Sequence, residues 1–176
     1  TKNSTVTKGV PQEVINQLIN LYNKGYLKPV VEQAQSLIKQ NPRAWVVWNI
    51  MGAASKALGQ VDEAFEAFKK VTELNPTFAE GFNNLGIILK DQGKLDEAIS
   101  SYDKAISLKP NFPEAHNNKG NILKSQGQLD KAISAYRKAL AIKPDYAEAF
   151  YNMGNVLQDQ SQFSEAIASF DKALAL

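Results

Sequence analysis

Apolar residues recur along this chain at helical spacing, in pairs of stretches separated by a glycine. Between positions 79 and 110 they stand at Phe82, Leu85 and Leu89, then at Leu95, Ala98, Ile99, Tyr102, Ala105 and Ile106. Such recurrence predicts two amphipathic helices, each with one buried stripe. Gly93 lies between them and can take the positive-φ conformation that ends one helix and turns the chain into the next.

The same pattern returns at a fixed interval. Prolines stand at Pro42, Pro76, Pro110 and Pro144, each 34 residues after the last, and glycines at Gly25, Gly59, Gly93 and Gly127, with Ser161 in the fifth slot. A second glycine series runs Gly52, Gly86, Gly120, Gly154; alanines follow at Ala64, Ala98, Ala132 and Ala166, and large aromatics at Phe68, Tyr102, Tyr136 and Phe170. Several series with one spacing are the signature of a repeat architecture. They predict an all-α fold, an α-solenoid of antiparallel helical hairpins. One domain is expected over 11–176, with repeats at 11–44, 45–78, 79–112, 113–146 and 147–176, the last incomplete. Residues 1–10 are read as a flexible N-terminal tail.

The small residues have a packing reason. Gly86 and Gly120 in the first helix, with Ala98 and Ala132 in the second, let antiparallel helices approach closely, and Phe82 or Tyr102 are expected to fill the space between neighbouring hairpins. Asp62, Asp96 and Asp130 sit near the start of each second helix, where a carboxylate meets the positive end of the helix dipole. The prolines close each unit, because proline cannot donate into a continuing helix. Stacked hairpins bury flanks that none could bury alone, so stability becomes a sum of nearest-neighbour terms.

Composition narrows the chemistry. Among 176 residues, 44% are apolar and 22% charged, ordinary for a globular protein, and no run of about 18 uncharged apolar residues indicates a membrane span. Cysteine is absent, which excludes disulfides and thiol chemistry and leaves the compartment open, a cytoplasmic one being the default expectation. A single histidine, His116, argues against a histidine metal cluster or a Ser–His–Asp triad, and no pair of carboxylates converges with a base. No catalytic residue, metal or cofactor is predicted. The net charge of +2, with lysines scattered among carboxylates, argues against a nucleic-acid surface.

The segments AEGFNNLGIILKDQGKLDEAISSYDKAISLKP at 79–110 and AEAFYNMGNVLQDQSQFSEAIASFDKALAL at 147–176 closely resemble the consensus of the tetratricopeptide repeat (TPR) family, and the resemblance covers everything after the first ten residues. It implies a right-handed superhelix whose first helices line a concave, peptide-binding face. The first unit departs from the pattern: Leu18 takes the small-residue slot, Gln17 an apolar one, and Gln12, Asn16, Asn20 and Asn23 make a polar outer face, as an end cap should. The fifth unit is expected to leave an apolar edge uncovered, open to a following segment or to a second copy.

On the implied concave face the exposed slots carry Asn49 and Lys56, then Asn83, Asn84 and Lys90, then Asn117, Asn118, Asn121 and Lys124, then Tyr151, Asn152 and Asn155. An asparagine amide both donates and accepts, so a ladder of them can hold an extended peptide by its main chain. Asn84, Asn118 and Asn152 look like the asparagine ladder in the TPR arm of O-linked N-acetylglucosamine transferases, with Ile50 breaking it in the second unit. Asparagine at these slots is also common in the general TPR consensus, where it ties adjacent helices together, and both readings stay open. His116 occupies the slot of Trp48, Phe82 and Phe150 and is read as packing; Lys119 occupies that of Met51, Leu85 and Met153, either snorkelling to the surface or marking a local specialisation.

The function expected is protein–protein interaction, with a peptide or partner protein in the groove, no membrane and no nucleic acid. Alternatives are a scaffold that self-associates through the C-terminal edge, and the substrate-selecting N-terminal arm of a larger transferase, as the irregular first unit followed by consensus repeats resembles bacterial TPR–transferase proteins.

Overall fold

The computed structural model describes residues 9–176, so most of the expected N-terminal tail lies outside the described residues. Among the described residues there are ten α-helices: α1 (Gln12–Asn23), α2 (Leu27–Gln40), α3 (Trp45–Ala57), α4 (Val61–Leu74), α5 (Ala79–Asp91), α6 (Leu95–Leu108), α7 (Pro113–Ser125), α8 (Leu129–Ile142), α9 (Ala147–Asp159) and α10 (Phe163–Leu174). The fold class is all-α. The helices fall into two compact units, one ending at Thr77 and the other spanning Phe78–Leu176, each a short solenoid of helical hairpins.

Turn chemistry sets the hairpins. Gly25, Gly59, Gly93 and Gly127 all have φ between 71° and 79°, and Ser161 takes the same slot at φ 60°. Side chains other than glycine rarely adopt that conformation, because Cβ approaches the following carbonyl. Acidic residues stand in the first turns of α4, α6 and α8, where the dipole favours them.

The interlock between the two helices of a hairpin is a glycine under an aromatic ring. A Cβ added at Gly52 would lie 2.9 Å from the Phe68 ring, and one at Gly86, Gly120 or Gly154 would lie 2.6 Å from Tyr102, Tyr136 or Phe170. Tyr102 packs against the first helix of its own hairpin, because only glycine leaves that helix thin enough there to receive the ring, and its counterpart Tyr136 also shares a core with Val156 and Leu157 of the next hairpin. Phe82 does pack toward the next hairpin, against a cluster that includes Phe112 and Ala115.

In the first unit Leu18, Val30, Ala34, Val47, Ile50 and Ala54 share one core. Here the size pairing is inverted: fully buried Leu18 fills the glycine slot, while Ala34 sits 34 residues before Phe68, in the aromatic slot. Large and small exchange sides, and the interior stays filled. The outward residues Gln12, Asn16, Asn20 and Asn23 of α1 are all exposed, with Gln12 Nε2 donating to Asn16 Oδ1. In the second unit α5, α7 and α9 touch in succession while α6, α8 and α10 pack against them. Its main core joins Leu123, Ile133 and Tyr136 to Val156 and Leu157.

Candidate functional site

The asparagines split into two classes that the sequence does not separate. Asn83 and Asn117, expected on an exposed face, are buried, Asn117 completely. Asn84, Asn118, Asn121, Asn152 and Asn155 are half-buried. The buried members hold the others in place: Asn118 Nδ2 donates to Asn83 Oδ1 at 3.1 Å, and Asn152 Nδ2 donates to Asn117 Oδ1 at 3.1 Å. Donor and acceptor are 35 residues apart in each pair, one repeat plus one position, so each bond ties a first helix to the next first helix.

Asn117 is satisfied at both ends, since its Nδ2 also donates to Glu148 Oε1 at 3.0 Å. A buried amide with either end open would be destabilising, and closing both makes it a rigid anchor. Burial pushes the nearby Tyr146 phenol up to about 12, with the Glu148 and Glu114 carboxylates adding to the shift, so it stays a neutral phenol at physiological pH. Asn118 and Asn152 are different. Each uses one N–H for the inter-helix bond, which leaves a carbonyl oxygen and a second N–H for another molecule.

Asn121 has a structural partner, accepting the Tyr136 hydroxyl proton at 2.7 Å. Asn155 occupies the same slot one repeat later, where Phe170 offers no hydroxyl. Tyr151 is exposed and its ring lies 5.8 Å from that of Phe170. The lysines are partly neutralised: Lys90 lies 3.4 Å from Asp91, and Lys124 lies 3.7 Å from Asp159 of the next hairpin. In the first unit, α3 carries Asn49 half-buried and Lys56 exposed. The second unit thus brings together Asn83, Asn84, Asn117, Asn118, Asn121, Asn152 and Asn155 along α5, α7 and α9. Of the two readings the sequence left open, Asn83 and Asn117 follow the one in which asparagine ties adjacent helices together, though the sequence did not show which asparagines are the buried ones. The 35-residue interval between amide pairs was the available signal.

Two further residues singled out by their slots also have definite surroundings. His116 is buried, and its ring hydrogen-bonds the Pro110 carbonyl. Trp48, two repeats earlier, makes the equivalent bond, its indole N–H donating to the Pro42 carbonyl at 2.9 Å. Lys119 snorkels: its side chain is 26% exposed and its ammonium lies 2.5 Å from Asp103. Among the described residues no group of three or more His, Cys, Asp or Glu could hold a metal ion, and no helix is long and apolar enough to cross a membrane.

No curated protein matches the chain in sequence. Among solved structures, MamA is 28% identical over 89% of this chain and 91% of its own, with a TM-score of 0.81. YrrB, described as a TPR protein with an unusual peptide-binding site, is 24% identical over 92% of this chain and 83% of its own, at 0.74. The pilF protein of Pseudomonas aeruginosa is 16% identical over 93% of this chain and 75% of its own, at 0.85. The last two likenesses concern the fold. The model described as TPR repeat matches residues 52–93, 87–127 and 120–161, and that described as Tetratricopeptide repeat matches 147–176. With these matches together spanning residues 52–176, and with the glycine–aromatic interlock and the positive-φ turns recurring from hairpin to hairpin, the chain belongs to the tetratricopeptide repeat family, a fold used for protein–protein interaction.

Proposed function

We propose that the chain binds an extended peptide segment of a partner protein along the face formed by α5, α7 and α9, and does so without catalysing a reaction. One observation carries this reading: Asn118 and Asn152 are each fixed through one amide N–H by a buried asparagine, with the rest of the amide unused. A pre-oriented amide loses little freedom when it binds a peptide backbone, which raises affinity without demanding a particular sequence. Asn84 occupies the corresponding slot on α5. Exposed Tyr151 adds a flat apolar contact beside Asn155, and Lys90 and Lys124 favour acidic side chains.

The test is selection of peptides from a random display library, followed by affinity measurement on the chosen peptide. Asn118→Ala combined with Asn152→Ala should weaken it about tenfold or more, from two lost backbone contacts. Equal affinity in a folded double variant would remove the proposal.

A second reading is favoured by the last hairpin. Ile133 of α8, covered by the hairpin that follows it, is 6% exposed, while Ile167 in the same slot of α10 is 60% exposed. Phe163, Ile167 and Leu174 form one exposed apolar stripe beside a cleft of about 600 Å³ lined by Tyr151, Asn155 and Phe170. Exposed apolar stripes of this kind mark association surfaces. A second copy pairing its α10 with this one would cover both stripes at once. Light scattering should then give a dimer that Ile167→Glu converts to a monomer; a wild-type monomer at high concentration rules this reading out.

A further inference from the structure

His116 and Lys119, the two residues of the fourth hairpin that break the apolar pattern of their slots, line the same cleft. It lies between α6 and α8, is floored by α7, and has a volume of about 460 Å³. This is the opposite side of α7 from Asn117, Asn118 and Asn121, since positions 116, 119, 123 and 126 share one helical face and 117, 118 and 121 another. The corresponding slots elsewhere hold Trp48 and Met51, Phe82 and Leu85, Phe150 and Met153. The His116 ring, like the Trp48 indole, is used on a proline carbonyl; Lys119 brings a charged group to a slot that the second, third and fifth hairpins fill with Met or Leu.

The walls of the cleft are charged and its floor is apolar. Lys119, Lys131 and Lys138 supply ammonium groups, Asp96 and Asp103 carboxylates, and Ile99, Ile106 and Leu123 apolar surface. Both carboxylates are engaged, Asp103 by Lys119 and Asp96 by the Gln126 amide at 2.9 Å. Lys131 donates to Gln128 Oε1 at 2.8 Å, which leaves its positive charge uncompensated. Lys138 has no ion pair among the described residues. The neutral amides of Gln126 and Gln128 cancel neither charge, and with Lys119, Lys131 and Lys138 facing only Asp96 and Asp103 the walls keep a net positive charge, which stands over aliphatic side chains.

We propose that this cleft is a second binding site, separate from the asparagine face, that takes a short acidic-aliphatic peptide segment of a partner protein. A Glu or Asp carboxylate of the guest sits between Lys119 and Lys138, and a neighbouring Leu or Ile side chain lies on Ile99, Ile106 and Leu123. The electrostatic setting agrees with an anionic guest. Burial first, then the ammonium groups of Lys138 and Lys119, hold the His116 imidazole below its ordinary range, against the Pro110 carbonyl and the Asp103 carboxylate, which act the other way.

The experiment is an NMR titration of the isotope-labelled full chain with the synthetic peptide acetyl-Leu-Glu-Leu-Asp-Leu-amide and its Gln/Asn isostere. The acidic peptide should shift amides of 116–126 and 131–138, and the isostere should bind about tenfold more weakly. Lys138→Glu, at an exposed position, and Lys119→Met, the residue that hairpins two and five carry, should each weaken the acidic peptide about tenfold, while Asn118→Ala with Asn152→Ala leaves it unchanged. Equal binding of both peptides, shifts confined to Asn118 and Asn152, or unchanged affinity in folded Lys138→Glu would overturn the proposal. Because the asparagine double variant is read separately, failure here leaves the asparagine face untouched, and failure there leaves this cleft untouched.

Discussion

The Tyr136 hydroxyl donates to Asn121 Oδ1 at 2.7 Å, whereas the equivalent hydroxyl of Tyr102, one repeat earlier, is buried without a partner among the described residues. The difference lies in one slot, where Ile87 stands in place of Asn121. Removing the Tyr102 hydroxyl therefore relieves a desolvated polar group, while removing that of Tyr136 strands Asn121. Tyr102→Phe should stabilise the chain by about 1 kcal/mol, and Tyr136→Phe should destabilise it by about 0.5–1.5 kcal/mol. Urea denaturation midpoints of the two variants should move in opposite directions.

Gly120 tests the helix interlock. Alanine is the better helix former by about 1 kcal/mol, so an exposed glycine replaced in this way would gain stability. At Gly120 the new methyl would meet the Tyr136 ring at 2.6 Å, and the two helices must move apart. Gly120→Ala should lose about 1–3 kcal/mol despite the gain in propensity. A thermal midpoint at or above that of the parent protein would show that the ring yields freely.

Ser161 holds a conformation that glycine holds in the other four hairpins, at φ 60°. The strain of a Cβ in the left-handed region exceeds the entropy that a serine saves in the unfolded chain. Ser161→Gly should raise stability by about 0.5–1 kcal/mol, measured by denaturant titration. The gain should fall on the last hairpin, where local amide exchange would slow.

His116 should make stability depend on pH in a window of its own. Burial holds its folded pKa below the ordinary 6.5, so the fold favours the neutral ring. The stabilisation is full above the unfolded value and is lost as pH falls through the folded one. Stability should therefore decline as pH falls below the ordinary histidine value, a window set by histidine rather than by carboxylates. His116→Phe, the residue of the third and fifth hairpins, should flatten that decline; an unchanged slope would place its origin elsewhere.

The hairpins and their turns are local matters, and they were legible before any coordinates. Apolar spacing, glycine at the turn and proline after the second helix each act within a few residues of themselves, so a one-dimensional pattern carries them. The asparagine face was legible only in outline. Asn117 and Asn118 are neighbours of the same residue type, yet one is buried with both amide ends closed and the other keeps part of its amide open. Which is which depends on the rotation of α7 against α5 and α9, a property of packing rather than of composition.

By itself, then, the chain's sequence determined the repeat, its period, the helical class and the positions of the turns, because those follow from backbone preferences and the burial of periodic apolar stripes. Tertiary structure alone decided that Tyr102 packs against the first helix of its own hairpin, that Asn83 and Asn117 serve as anchors, and that His116 and Lys119 open onto one cleft. Each of these depends on how side chains from helices distant in sequence meet, and hydrogen-bond reach is shorter than the uncertainty in any register inferred from spacing.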